Sequence, residues 1–452
     1  MLENTSEAKG IELSAPQYKK YITSAVLMVV MLILSTFIVM FHRNSPGVLK
    51  ETLQSEFAMT STEFAMFSSM YFYPYVIMQL PMGVLADTFG PRKTIACGLL
   101  LCTLGTVLFA TADSFALLCI SRALIGMGVS CPITCGAKLY SSWFVQKRVA
   151  TAQGIGQGIG GVLTLLGQTP LALAVAYFGW RYTYITVAAA TLVIGLLVFL
   201  LMRDSPVDVG LPSVAEMEGI IRPPRQGNII ESIKKKVYSN NWVWPFFLIM
   251  PIHMGTYITF TSTWAIPYIS ESFGKTTIDA TKYISVLLIA HAVGAFIFPI
   301  LSDRLGNRKT TLYISSVFET IAWVAIAFFS GSIVTPSNLS LFMFLLGASQ
   351  GGIIPLMFIM IRELNDPNYA GIAVGATNVI GMSASTYFPV IAGALLDKYE
   401  AAGFSGVLLY RKCFTFCAVL SIIALVTVFI VKETGRQNIY HEKAVAKDSA
   451  AC

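Results

Sequence analysis

The sequence predicts an all-α membrane protein of twelve transmembrane helices arranged as two six-helix repeats. Three observations carry this. Hydrophobic residues make up 55% of the 452 residues and charged residues only 12%, about half the share usual in soluble domains. A chain of this length has too few polar side chains to coat a globule, which excludes a soluble enzyme. The apolar residues fall in runs long enough to cross roughly 30 Å of hydrocarbon, which takes about 20 helical residues. Finally, a charged turn occurs twice, once in each half.

The runs lie near 21–45, 64–85, 94–111, 115–142, 149–176 and 182–202, and again near 243–268, 278–301, 310–330, 339–362, 369–396 and 407–431. They divide the chain into a tail (1–20), a first bundle (21–202), a linker (203–241), a second bundle (242–431) and a closing tail (432–452). The linker holds Arg203-Asp204-Ser205-Pro206 and Lys234-Lys235-Lys236. The first twenty residues are polar and the first run is too long for a signal-peptide core, so no cleaved leader is expected. Most of the eight cysteines sit inside apolar runs without metal-ligand spacing and read as small core residues.

The net charge of +7 is a membrane signal. If the N-terminus is cytoplasmic and the segments alternate, Lys19-Lys20, Arg92-Lys93, Lys147-Arg148, the linker, Arg308-Lys309 and the C-terminal tail all fall inside. That asymmetry places both termini in the cytoplasm of a multi-pass cell (inner) membrane protein. Nucleic acid is not an expected partner, because no soluble domain presents the basic face it needs.

The repeated turn reads Gly83-Val84-Leu85-Ala86-Asp87-Thr88-Phe89-Gly90-Pro91-Arg92-Lys93 and Pro299-Ile300-Leu301-Ser302-Asp303-Arg304-Leu305-Gly306-Asn307-Arg308-Lys309. Gly154, Gln157 and Gly160 of segment 5 echo Gly375, Asn378 and Gly381 of segment 11. Duplication of a six-helix unit explains both. These turns, together with Arg122-x-x-x-Gly126-x-Gly128 in segment 4, resemble the motifs of the major facilitator superfamily, and the resemblance covers nearly the whole chain. Pro132 through Lys138, Trp143-Phe144-x-x-Lys147-Arg148 and Arg43-Asn44 add a likeness to its organophosphate and organic-anion branch. The Gly-Pro pair of the family's antiporter motif is absent from glycine-rich segment 5.

The resemblance implies a secondary transporter working by alternating access, with segments 1, 4, 7 and 10 lining its cavity. An ionisable group held inside a bilayer is costly and needs a reason. The candidates are His42 and Arg43 in segment 1, Arg122 in segment 4, His253 in segment 7, His291 in segment 8 and Glu319 in segment 9. Lys138 and Arg362 sit at helix ends where their heads reach water. A cavity lined by Arg43 and Arg122 without a fixed acid attracts an anion, with Gln157, His253, Tyr257 and Asn378 as further substrate contacts. His42, His253, His291 and Glu319 are candidates to carry a coupling proton. Segment 9 is peripheral in the resembled architecture, which weighs Glu319 toward a bond with a neighbouring helix. Asp87, Arg92, Asp303 and Arg308 are candidate conformational-latch residues, the Asp87 carboxylate meeting a helix N-terminal dipole or a basic side chain in one conformation and losing it in the other.

The expected function is therefore transport of a small organic anion, a carboxylate or phosphate ester, by proton symport or exchange. The expected state is a monomer in the lipid bilayer, with no cofactor and no metal. Drug or metabolite efflux and a transporter-like receptor stay open. A membrane enzyme such as an acyltransferase would need a histidine with a nearby acid partner, which none of His42, His253, His291 and His441 has in sequence.

Overall fold

The computed structural model describes residues 13–145, 148–149, 152, 156, 159, 168–218, 239–366 and 369–435. Among them the regular elements are helices and no β-strand forms, Ser330 and Val334 making an isolated bridge. Ten described spans are long and apolar enough to cross a membrane. Lipid tails leave backbone amides no outside partner, so helix is the form that satisfies them within the chain.

The first run is α1 (Ala15–Asn44), followed by α2 (Pro46–Phe57), which opens on proline and closes at Ala58 in a left-handed conformation. The second run is broken. It forms α3 (Ser61–Ser69), started by a capping box between Thr60 and Glu63, and α4 (Phe72–Phe89). Next come α5 (Pro91–Ala110), α6 (Phe115–Gly128) and α7 (Cys131–Trp143), the last two splitting the fourth run around Ser130 and Pro132. Segment 5 lies mostly outside the described residues. The first half ends with α8 (Trp180–Leu201).

In the second half, α9 (Trp244–Thr259) passes through a π-helical turn (Phe260–Trp264) into α10 (Ala265–Phe273). Pro251 lies inside α9. Then follow α11 (Thr277–Leu305), α12 (Arg308–Phe329), α13 (Leu339–Leu364), α14 (Ala370–Ala401) and α15 (Gly406–Val428). The expected segment positions and the observed helices agree to within a few residues outside segment 5.

The chain divides into two compact units. One holds Met1–Arg43, Tyr73–Thr164 and Phe178–Gln226. The other holds Asn44–Phe72, Leu165–Tyr177 and Gly227–Cys452. In the first, α5 packs on α6, α7 and α8, and glycines set the closest approach: a Cβ on Gly98 would meet the Gly128 carbonyl oxygen at 2.5 Å. In the second, α11 packs on α13, α9 on α14 and α12 on α15. Such seams of small residues let helix backbones meet where hydrophobic driving force is absent.

The second unit also takes in α2 and α3, which the sequence divides off with the first half. Specific bonds explain this. The Asp397 carboxylate of α14 accepts the backbone N–H of Ser61 and of Thr62, each at 2.8 Å, at the start of α3. Ser68 and Thr263 hydroxyls meet at 2.8 Å. Lys50 of α2 donates to Glu271 of α10 at 2.5 Å and to the Tyr410 hydroxyl at 3.3 Å.

Candidate functional site

In the first unit, α1 and α6 bring two candidates together. Arg122 is fully buried and donates through Nη1 to the backbone carbonyl of His42 at 2.9 Å. The His42 ring is buried too, with Nε2 3.4 Å from the Thr106 hydroxyl of α5 and its face near Phe41 and Tyr184. The Arg122 charge therefore joins segments 1 and 4 through a backbone acceptor, a bond strengthened by the low-dielectric surroundings. Arg43 is half-buried in the last turn of α1, within electrostatic reach of Tyr75. Gln157 lies outside the described residues.

In the second unit, two of the candidates touch. His253 of α9 and Glu319 of α12 are both sealed from solvent, and His253 Nδ1 contacts Glu319 Oε2 directly. Glu319 Oε1 accepts a hydrogen bond from the Gln350 amide at 2.7 Å, and the same amide donates to the His253 backbone carbonyl at 2.9 Å. Gln350 of α13 is itself 1% exposed. Three helices thus close on one His–Glu–Gln cluster, and the neighbouring-helix bond expected for Glu319 is present. One turn along α9, Tyr257 stacks on His291 of α11, ring centroids 5.2 Å apart. Asn378 is half-buried in α14.

The repeated turns hold carboxylates by different means. Asp87 is exposed and pairs with Lys138 of α7 at 2.8 Å. Lys138 also donates to the Ala86 carbonyl at 2.8 Å. Asp303 accepts from Arg308 at 2.7 Å, and Arg308 reaches Glu363 of α13 at 3.2 Å. The Arg92 guanidinium lies over Phe199, 5.4 Å from its centroid.

A further matching pair closes both turns. The Asp204 carboxylate, just beyond α8, accepts the backbone N–H of Arg92 at 2.6 Å. The Glu433 carboxylate, just beyond α15, accepts those of Arg308 at 3.0 Å and Lys309 at 2.7 Å. Each acid caps the positive end of the third membrane segment of its half, α5 and α12. The signal is in the sequence as Arg203-Asp204-Ser205 against Lys432-Glu433-Thr434, a basic–acidic–hydroxyl triplet that none of the motifs above includes. Gly90 accommodates the first of these. Its φ is +87°, and a Cβ there would sit 2.3 Å from the Asp204 carboxylate.

Two halves with the same capped turn, and ionisable groups sealed inside apolar spans, define a duplicated multi-pass helical carrier of the membrane. The chain belongs to the Major Facilitator Superfamily, whose model matches residues 32–274 and again 253–449. It is a secondary transporter and not an enzyme. It is similar to a probable sulfoacetate transporter, SauU, of Cupriavidus necator, with 25% identity over 80% of this chain and 85% of the relative. It is also similar to the hexuronate transporter of Bacillus subtilis, with 22% identity over 90% of this chain and 96% of the relative. In fold it matches a bacterial homologue of the human lysosomal transporter Spinster, in its inward-facing and occupied conformation. That match has a TM-score of 0.71 at 17% identity, covering 93% of this chain and 97% of the other.

Proposed function

We propose that this chain moves a small organic anion bearing a carboxylate or sulfonate across the cell (inner) membrane by alternating access. One observation carries the charge preference. Helices α1 and α4 to α8 of the first unit hold Arg43 and Arg122 within apolar spans, while the acid on those six helices is Asp87, at an exposed helix end. Fixed positive charge in a poorly hydrated interior favours an anionic ligand. The names of the two relatives point the same way, since sulfoacetate and hexuronates are both anions.

Transport is coupled to a proton or exchanged against a second anion. Both termini face the cytoplasm, following the distribution of Lys and Arg, and the carrier is a monomer. Arg43 and Arg122 attract the substrate from segments 1 and 4, with Gln157, His253, Tyr257 and Asn378 as its neutral contacts. The capped turns with Asp87, Arg92, Asp303 and Arg308 act as latches, because the Asp87–Lys138 and Asp303–Arg308 pairs and the Arg92 N–H bond to Asp204 hold only while the helices they join keep their spacing.

The test is a thermal-shift screen of the purified protein against sulfoacetate, glucuronate, organic cations and neutral sugars, since a ligand of the folded state raises its apparent stability. Anions are expected to raise the melting temperature, and Arg43→Ala to remove the effect. Hits confined to cations overturn the reading. Uptake into proteoliposomes then separates a carrier from a sensor, because binding without accumulation or exchange would exclude transport.

A further inference from the structure

The His253–Glu319 contact is 66 residues apart in sequence and spans two helices. Both side chains are fully buried, at 1% and 0% exposure. A buried acid and a buried imidazole in contact form one titrating unit. With a single proton the pair is neutral, whichever partner carries it. Without that proton it is an anion, and with a second it is a cation, and either net charge is heavily penalised inside a spanning bundle. The closed packing is thus compatible with one proton on the pair, and losing it requires water to reach the site.

We propose that His253 and Glu319 together hold the single proton that drives this carrier, with Gln350 as a positioning residue. The proposal rests on the reading of the chain as an anion transporter and assigns its coupling site. The Gln350 amide fixes one carboxylate oxygen at 2.7 Å and ties it to the His253 backbone at 2.9 Å, which leaves the other oxygen facing the imidazole. His253 Nε2 is buried and has no hydrogen-bond partner among the described residues. It is the ring atom through which the proton can leave when α9 moves.

Helix α9 is built to move. Pro251 cannot donate a backbone hydrogen bond, Gly255 lies two residues beyond His253, and the π turn Phe260–Trp264 follows. Prolines and π turns are places where a helix bends. A pair serving only as a static pin would gain nothing from this placement.

The other titratable groups facing the cluster from the packed helices are few. Cys417 of α15 lies within electrostatic reach of Glu319, and Cys413 sits one turn before it. His291 of α11 stands one turn away, stacked on Tyr257. The formal charges of α11 to α15, Glu319 apart, fall within the first or last two turns of their helices.

The test uses the full-length protein in proteoliposomes, with sulfoacetate and glucuronate as probes. Accumulation is driven by an imposed pH gradient, and exchange is measured at equal pH. His253→Gln and Glu319→Gln are expected to lose gradient-driven accumulation by about tenfold or more, the effect of removing an essential proton-transfer group, while exchange persists in Glu319→Gln. Variants that accumulate as the wild type does overturn the proposal. A second measurement stands apart from substrate choice. The chain has four histidines, so nitrogen-labelled histidine spectra resolve His253 by its loss in His253→Gln. Its resonance is expected to titrate, and Gln350→Leu to move the midpoint by about one pH unit, tenfold in proton affinity. A His253 signal that does not titrate while the protein stays folded overturns the proposal. If neither probe is accumulated by the wild type but His253 titrates and responds to Gln350→Leu, the proton site stands and the anion reading fails.

Discussion

Lys50 and Glu271 are 221 residues apart in the chain and 2.5 Å apart in the fold. The lysine side chain is 9% exposed and the glutamate 43%. Lys50 lies over the rings of Trp264, 5.4 Å from its centroid, and of Tyr410 at 6.0 Å, and the Tyr410 hydroxyl donates to the other Glu271 oxygen at 2.9 Å. An ammonium so placed has given up most of its water and depends on this one carboxylate and two aromatic faces. The pair fastens α2 to α10 and α15 at a helix end. Because Glu271 is partly solvated, Glu271→Gln should cost about 1–3 kcal/mol, the usual effect of losing a hydrogen bond to a charged group. A double-mutant cycle with Lys50→Met, read by thermal unfolding in detergent, should give a coupling of about 1–2 kcal/mol. Strict additivity would show that the contact contributes no stability.

Asp397 anchors α3 in a separable way. Its two oxygens take the first free N–H groups of the helix at 2.8 Å each, and the Thr62 hydroxyl donates to the same carboxylate. Asp397→Asn keeps one acceptor and loses the charge that opposes the helix dipole, at about 0.5–1 kcal/mol. Asp397→Ala also strands the amides and should cost about 2 kcal/mol. Equal losses for the two variants would mean that the charge alone, and not the hydrogen bonding, accounts for the cap.

Much of this fold was legible because the bilayer restricts the choices. Apolar run length gave the helices, and the repeated Asp-x-x-Gly turns gave the duplication, since both are local patterns. His253 and Glu319 were each legible as costly groups, but their pairing was not, because nothing local encodes which face of α9 meets α12. Lys50 was missed altogether. It lies in a polar stretch between segments, and only the fold reveals that aromatic rings cover it. Gln350 was missed because an uncharged amide among glycines in segment 10 carries no warning of a buried carboxylate opposite. Asp204 and Glu433 left a readable trace, yet three residues without a glycine or proline are too short to stand out.

Asp204 gives a signed pH prediction. Burial pushes its carboxyl above the ordinary 3.8, outweighing the Arg92 N–H bond, and Asp208 nearby pushes the same way. The folded state therefore holds this proton more tightly than the unfolded chain does. Its contribution to stability is fully present below 3.8 and is lost as pH rises through the raised folded value. Melting temperatures followed upward through the carboxylate range should fall less steeply in Asp204→Asn than in the wild type. A steeper fall in the variant would reverse the assigned direction.

The seam between α11 and α13 offers the sharpest contrast. A Cβ on Gly351 would lie 2.0 Å from the His291 carbonyl oxygen, and one on Gly347 would lie 2.0 Å from that of Leu287. Both neighbours are backbone, so neither can swing aside, and the helices would have to separate. Overpacking of this kind costs about 1–3 kcal/mol, and Gly351→Ala should also disturb the adjacent Gln350 and its bond to Glu319. Gly375 in α14 has nothing within 4 Å of the position a Cβ would take. There, alanine should be neutral or stabilising by up to about 1 kcal/mol, the helix-propensity difference alone. Thermal unfolding of the three alanine variants, run side by side, checks both halves of the prediction. Gly351→Ala unfolding at or above the wild-type temperature would show that the two helices do not meet as closely as their backbones are placed.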